Sequence, residues 1–158
     1  MASDQRQLID EKLKELGIVL PQVPIHAANY ELVRVVNKNV YVGAHLPIES
    51  GVVAVKGLVG DKVETEQGIR AARLCLINIL GQLEATLEGG LEAITELVSL
   101  DGYVAAAPGF ASLNQVMDGA SDLARSVFGR AGQHVRSVAG VTALPENASV
   151  MIGGLFRL

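Results

Sequence analysis

The side chain that offers the clearest binding chemistry is Arg136, which opens a short apolar segment near the end of the chain. A guanidinium presents five donors in a fixed planar fork, and this fork matches a carboxylate bidentately. The same residue also fits a surface strand position that pairs with a neighbouring acid. A turn over residues 144–147 leads to a second apolar segment that contains Met151. The segment therefore predicts two strands joined by a turn, with one carboxylate-binding candidate at its start.

The other reactive side chains are scattered along the chain. Nothing in the spacing of the three histidines His26, His45 and His134 suggests a metal site. His134 lies two residues before Arg136, so on a strand it shares that face and could help to bind an anion or be a surface residue. Cys75 is the single cysteine, which excludes an intrachain disulfide and a multi-cysteine zinc site. Without a phosphate-binding loop or a Ser-His-Asp pattern, we expect no cofactor.

Length and composition favour a single globular domain over all 158 residues, of which 49% are hydrophobic and 19% charged. The net charge of −4 argues against a nucleic-acid or anionic membrane partner, because such surfaces cluster Lys and Arg. The N-terminus lacks the apolar region of a signal peptide, and the longest apolar run, residues 74–80, is too short to span a bilayer. We therefore expect a cytoplasmic protein.

Hydrophobic periodicity and turn residues predict the order α, then ββα, then βαββ. Residues 1–28 form an N-terminal helix and an extended connector. Strand-like segments such as residues 138–141 are apolar without strict alternation, which is typical of a sheet buried on both faces. Two helices would cover one face, and another subunit would cover the other. The predicted helices are 3–16, 66–87 and 113–128, and the predicted strands are 30–36, 40–43, 94–106, 135–141 and 148–156.

From about Asn29 to the C-terminus the sequence resembles the Rid protein family (RidA/YjgF). Four features are similar. They are an opening hairpin with a tyrosine, which in the family ends in Ser-Gly-Gln-Ile/Leu-Pro, a first helix with an asparagine, a third strand, and an Arg-Ser strand before a Leu-Pro turn. The N-terminal helix and the passage over residues 107–129 resemble a longer subgroup of that family. The matching segments are residues 30–47, 67–80, 94–104 and 136–145.

The resemblance implies an α+β, chorismate-mutase-like (YjgF-like) fold, in which a mixed sheet carries two helices on one face. It also implies a homotrimer whose sheets form a central barrel with three clefts between subunits. In the RidA enzymes each cleft hydrolyses a reactive enamine or imine, such as 2-aminoacrylate, to a 2-keto acid and ammonia. An arginine binds the substrate carboxylate, and a glutamate positions the attacking water.

Transferred residue by residue, the resemblance makes Arg136 the carboxylate ligand. Met151 stands where the enzymes have the glutamate, and a thioether cannot orient or deprotonate water. Tyr30 matches a tyrosine near the cleft and is equally compatible with an ordinary strand aromatic. Ala44 replaces a glycine at a close backbone approach, which requires a negative φ there. Val138 replaces a cysteine whose backbone contacts the ligand, so the change alters little.

Two further positions stay open. His45 replaces a glutamine and is either a substitute proton-transfer group or a solvated loop histidine. The family's helix asparagine matches either Asp118 or Asn114, and Asp118 would place a negative charge beside an anionic ligand.

Two hypotheses follow from the resemblance. The first is an enzyme with weak or altered enamine/imine deaminase activity that binds small 2-imino or 2-keto acids. The second is a non-catalytic trimeric metabolite-binding or regulatory protein, which the methionine at position 151 favours. The ribonuclease name that some family members carry gains no support from an acidic chain without interleaved aromatic and basic residues.

Overall fold

The computed structural model describes residues 3–22 and 29–158. The last part of the predicted connector and His26 lie outside these residues. Among the described residues, 3₁₀ turns cover Gly90–Ala93, Gly129–Gly132 and Pro145–Asn147. The other elements are α1 (Asp4–Glu15), β1 (Val33–Val36), β2 (Asn39–His45), β3 (Ile48–Glu49), β4 (Val52–Val53), α2 (Thr65–Thr86), β5 (Glu96–Ala105), α3 (Leu113–Phe128), β6 (Val135–Val141) and β7 (Val150–Arg157).

Five strands form one mixed sheet in the order β1-β2-β7-β5-β6. β5 and β6 are parallel neighbours that are connected in sequence through helix α3, whereas the other neighbouring strands are antiparallel. The predicted α+β class and the mixed sheet are confirmed. The two C-terminal strands follow each other in sequence but are not neighbours, because β5 lies between β6 and β7. β6 is consequently an edge strand of this sheet.

The helices α2 and α3 pack against one face of the sheet, as predicted, and a continuous apolar core lies between the layers. The third helix, α1, adds to this layer through polar contacts at its first turn. The Ser3 hydroxyl donates to Glu92 Oε2 at 2.8 Å, and the Arg6 guanidinium donates to Glu84 Oε1 at 2.6 Å. Ser3 also caps α1 by accepting from the Arg6 backbone N–H. No helix among the described residues is long and apolar enough to cross a bilayer.

The opposite face of the sheet carries large apolar side chains that this chain leaves open. Tyr41 is 50% exposed and Tyr103 is 39% exposed, while Val135 reaches 69%. The register places Tyr103 beside Met151 of β7 and Ala139 of β6, and all three alternate with residues that face the helices. Such an apolar patch is typical of a protein–protein contact surface.

Local chemistry explains where the predicted boundaries shift. Asn37 and Lys38 both have positive φ and form the hairpin turn, so Asn39 belongs to β2 and not to the turn. The helix predicted over residues 66–87 begins at Thr65, because Glu64 caps it in a reciprocal capping box with Gln67. Residues 44–60, predicted as loop, contain the end of β2 and the short hairpin of β3 and β4.

The pairing of β5 with β7 is irregular between Leu97 and Ser99. Gly102 lies further along β5, and a Cβ there would overlap the side chain of Met117 on α3. The glycine therefore lets α3 approach the sheet closely.

Candidate functional site

The Arg136 side chain is held by α3 on the helix-covered side of the sheet. Its Nη1 donates to Asp118 Oδ1 at 3.0 Å and to the Ser121 hydroxyl at 3.0 Å. Its Nη2 donates to the backbone oxygen of Asn114 at 3.2 Å and to Asn114 Oδ1 at 3.3 Å. The side chain is 22% exposed, so the guanidinium is fixed in place yet open at one side.

The partners of Arg136 form a polar stripe on α3. Asn114, Asp118 and Ser121 are spaced i, i+4 and i+7, which places them on one helix face. Arg125 continues the same stripe one turn further. The two alternatives for the helix asparagine are therefore both in contact with the guanidinium. Asp118 forms the ion pair and is 53% exposed, whereas Asn114 contributes an uncharged oxygen.

Ser121 connects Arg136 to a histidine. The Ser121 hydroxyl lies 2.9 Å from His134 Nε2, and His134 Nδ1 lies 2.7 Å from the Gly132 carbonyl oxygen. A carbonyl oxygen only accepts, so Nδ1 carries the proton and donates it to Gly132. In the neutral imidazole, Nε2 then accepts from the serine hydroxyl. The arrangement is an oriented chain from a backbone carbonyl through imidazole and hydroxyl to guanidinium.

These groups line a cavity of about 420 Å³. Its lining combines two guanidiniums, an imidazole, a hydroxyl and an amide, and it contains no carboxylate. Such a lining attracts an anion. The lining residues are Ser121, Arg125, Gln133, His134 and Arg136.

A second, larger cavity of about 1020 Å³ contains four of the other predicted site residues. It lies between the segment after α1, the end of β2 and the outer side of α2. Apolar side chains dominate its wall, and Arg73 of α2 adds a half-buried cation. The predicted site residues along this wall are Tyr30, Ala44, His45 and Met151.

The local environment answers the questions that the sequence left open about His45 and Ala44. His45 is the last residue of β2 and is 8% exposed, so the alternative of a solvated loop histidine is wrong. Its Nδ1 lies 2.7 Å from the Gly43 carbonyl oxygen. The φ of Ala44 is not positive, so an alanine fits this backbone position without strain. Both residues are therefore ordered parts of the cavity wall.

One chain does not bring Arg136 and Met151 into a single pocket. Arg136 aligns with Leu100 of β5 and faces α3, as does Val138 two residues later, which is half-buried against the core. Met151 aligns with Tyr103 on the other side of β5 and faces the open side of the sheet. The strand between them and the opposite orientation of their side chains keep the two groups apart.

Cys75 and Glu146 do not line either of these two cavities. Cys75 is fully buried, and its thiol donates to the Val150 carbonyl oxygen at 3.6 Å. Loss of hydration raises the pKa of this thiol far above its usual value. Glu146 is exposed in the turn before β7 and has a positive φ. Among residues 3–22 and 29–158, no three His, Cys, Asp or Glu side chains are grouped as metal ligands.

The link between Ser121 and His134 was not predicted from the sequence. The residues are 13 positions apart, and only the packing of α3 against the start of β6 joins them. A partial indication existed in the polar stripe on α3, since Asn114, Asp118 and Ser121 recur at helical spacing on one face of this helix. Combined with the shared face of His134 and Arg136, this stripe could have predicted the cluster.

Comparison with known proteins identifies the family of this chain. Residues 10–157 match the model of the YjgF/chorismate mutase-like endoribonuclease family. The chain belongs to this family. The match covers almost the whole chain, so the resemblance drawn from separate motifs extends over the YjgF-like domain, including the second half of α1.

Relatives of this YjgF-like chain support the assignment. The Trypanosoma cruzi protein TCP17 is 34% identical over 147 residues, covering 92% of this chain and 91% of TCP17. The structure of Atu1372 from Agrobacterium tumefaciens, a protein of unknown function, has a TM-score of 0.90 at 40% identity, with 98% of this chain and 94% of Atu1372 covered.

A more distant structural relative is YyfA of the Rid protein family from Yersinia pestis. It has a TM-score of 0.59 at 18% identity and covers 89% of this chain and 98% of its own. At this distance the likeness concerns the fold alone. The YjgF-like fold is thus established.

Proposed function

We propose that this YjgF-like protein binds small carboxylates, namely 2-imino and 2-keto acids, through Arg136, and that it hydrolyses enamines or imines. The observation that carries the proposal is the guanidinium that α3 holds at the wall of a cationic cavity. Four hydrogen bonds fix its orientation before any ligand arrives. Preorganisation of this kind lowers the entropic cost of binding. The cavity of about 420 Å³ accommodates an acid of a few carbon atoms.

We place the complete site in clefts between the subunits of a homotrimer. Within one chain Arg136 lies on one side of β5, and Met151 lies on the other together with the cavity that Ala44 and His45 line. A neighbouring chain can supply the second half to the first. The exposed Tyr41 and Tyr103 on the open sheet face supply an apolar surface for such an assembly. Tyr103→Asp should therefore lower the mass measured by light scattering.

The test of binding is calorimetry with 2-ketobutyrate, a stable analogue of the imino acid. Arg136→Ala should abolish the binding heat, because it removes the only proposed carboxylate ligand. Arg130→Ala is the matched control, since Arg130 is an exposed arginine on the turn after α3 and does not line the cavity. Binding that is equally strong in Arg136→Ala and wild-type protein would refute the proposal.

A second candidate function is a non-catalytic binding protein, and Met151 is the observation that favours it. The half-buried methionine lines the larger cavity and has no group that activates water. In this case the wild-type protein binds 2-ketobutyrate through Arg136 but does not accelerate hydrolysis of 2-iminopropionate. Met151→Glu would then separate the two functions. Activity gained by this variant shows that a carboxylate at position 151 was the missing group.

A further inference from the structure

We infer that Ser121 and His134 form the proton relay of the proposed cleft and replace the missing carboxylate at position 151. This inference deepens the proposed function and rests on it. The substrates are 2-imino acids whose carboxylate is bound by Arg136. Ser121 contacts the attacking water, and His134 acts through Ser121.

The first argument is the state in which the structure holds the imidazole. Gly132 accepts the Nδ1 proton at 2.7 Å, which leaves the Nε2 lone pair for the Ser121 hydroxyl at 2.9 Å. A hydroxyl within hydrogen-bond reach of a base that a third group orients is the general arrangement for activating a weak acid. His134 is thus a base with a fixed tautomer, and it lies close to Arg136, the proposed binding residue for the substrate carboxylate.

The second argument is the position of the Ser121 oxygen. Arg136 Nη1 donates to this oxygen at 3.0 Å, so a carboxylate bound to the guanidinium lies close to the hydroxyl. The same donor stabilises the negative charge that develops on the oxygen while its proton moves to His134. Ser121 is 9% exposed, yet it lines the cavity together with Arg136 and His134. A water in that cavity can therefore reach it.

The third argument concerns the other groups near Arg136. Asp118 is the carboxylate that the structure pairs with the guanidinium, and this ion pair occupies its Oδ1. Asn114 has no basic atom, and the guanidinium of Arg125 donates hydrogen bonds but accepts none. His134 is consequently the lining residue whose ring nitrogen can accept the Ser121 proton.

The relay supports a balanced reaction. The water oxygen attacks the imine carbon, a C–O bond forms, and the electron pair of the C=N π bond moves to the protonated nitrogen. A proton of the water passes to Ser121 Oγ as the serine proton passes to His134 Nε2. The relay then returns a proton to the amine nitrogen. The C–N bond breaks with its electron pair remaining on nitrogen, so that ammonia leaves. The hydroxyl proton passes through Ser121 to His134 as the C=O bond forms, and ammonia then takes up that proton to become ammonium beside the 2-keto acid.

The experiment measures pyruvate formation from 2-iminopropionate above the uncatalysed rate, together with calorimetric binding of 2-ketobutyrate. His134→Asn has no basic nitrogen, and Ser121→Ala breaks the chain. Each should lower kcat by at least about 100-fold, the usual scale of general acid–base catalysis, with little change in 2-ketobutyrate affinity. Ser126→Ala is the control for Ser121, because Ser126 lies on the exposed side of α3 and only donates to the Asp122 carbonyl.

A purely structural role of the relay predicts a different pattern. If Ser121 and His134 only position Arg136, both variants weaken 2-ketobutyrate binding in parallel with turnover, and the inference is overturned. It is also overturned if wild-type protein binds through Arg136 without turnover, or if His134→Asn retains wild-type kcat. Binding that does not depend on Arg136 removes the proposed function itself, and the inference with it. Rescue of His134→Asn by added imidazole would support a base over a positioning role.

Discussion

Asp118 accepts a hydrogen bond from the Arg136 guanidinium that a ligand carboxylate would also use. Removing the charge of Asp118 should therefore strengthen binding of the ligand carboxylate. The pair is Arg136 Nη1 to Asp118 Oδ1 at 3.0 Å, with Asp118 about half exposed. Exposed ion pairs contribute about 0.2–1 kcal/mol, and a ligand competes against that amount. In addition, two like charges about 4 Å apart repel by about 1 kcal/mol in water. Asp118→Asn keeps an oxygen that accepts from Arg136 and removes the charge.

Together the two effects favour ligand binding by about 1–2 kcal/mol, which is an increase of about 5- to 30-fold in affinity. The assay is calorimetry of Asp118→Asn with 2-ketobutyrate at low and physiological salt, and the gain should shrink as salt rises. Asp122→Asn is the matched control, because it makes the same charge change on an exposed position of α3 without a contact to Arg136. An equal gain in both variants, or weaker binding in Asp118→Asn, would contradict a competing carboxylate.

Three further predictions concern stability and reactivity. Glu84→Ala removes one acceptor of the Arg6 guanidinium, which keeps its contact with Asp10, and leaves the Leu91 backbone N–H without its acceptor. The free energy of unfolding should therefore fall by about 1–3 kcal/mol in urea titration, whereas the exposed Glu88→Ala should change little. Gly119→Ala should cost about 1–3 kcal/mol or more by the same measurement, since the new Cβ would overlap the Ile69 carbonyl of α2. Because burial raises its pKa, Cys75 should react with a thiol reagent only after denaturation; fast reaction of native protein would show that the site opens.

Much of the fold could be predicted from local patterns. The apolar stripe of α3 gives its limits at Leu113 and Phe128, and both agree with the structure. The mixed α+β class also follows from the element order. Boundaries shifted where side-chain caps decide them, as at Glu64. Gly102 is required by packing against α3, which no local pattern reveals.

The site was harder to predict because its groups meet only through tertiary packing. Arg136 had two predicted roles, which were binding a ligand carboxylate and pairing with a neighbouring acid. The structure shows an ion pair with Asp118. The ligand role stays a prediction. Sequence could not show that His134 accepts from Ser121, since this depends on how close α3 and β6 approach. The strand order, with β5 between Arg136 and Met151, likewise follows from long-range pairing.

Because β5 separates Arg136 from Met151, two chains that are each defective in a different half of the proposed cleft could together form an intact one. A chain with Arg136→Ala spoils only the cleft half that it contributes with β6. A chain with a bulky substitution at Ala44 spoils only the other half. If the protein forms the proposed trimer, random assembly from equal amounts of the two chains gives about a quarter of clefts with two intact halves. Recovered binding after mixing two inactive proteins would be a property of the assembly that neither chain possesses alone.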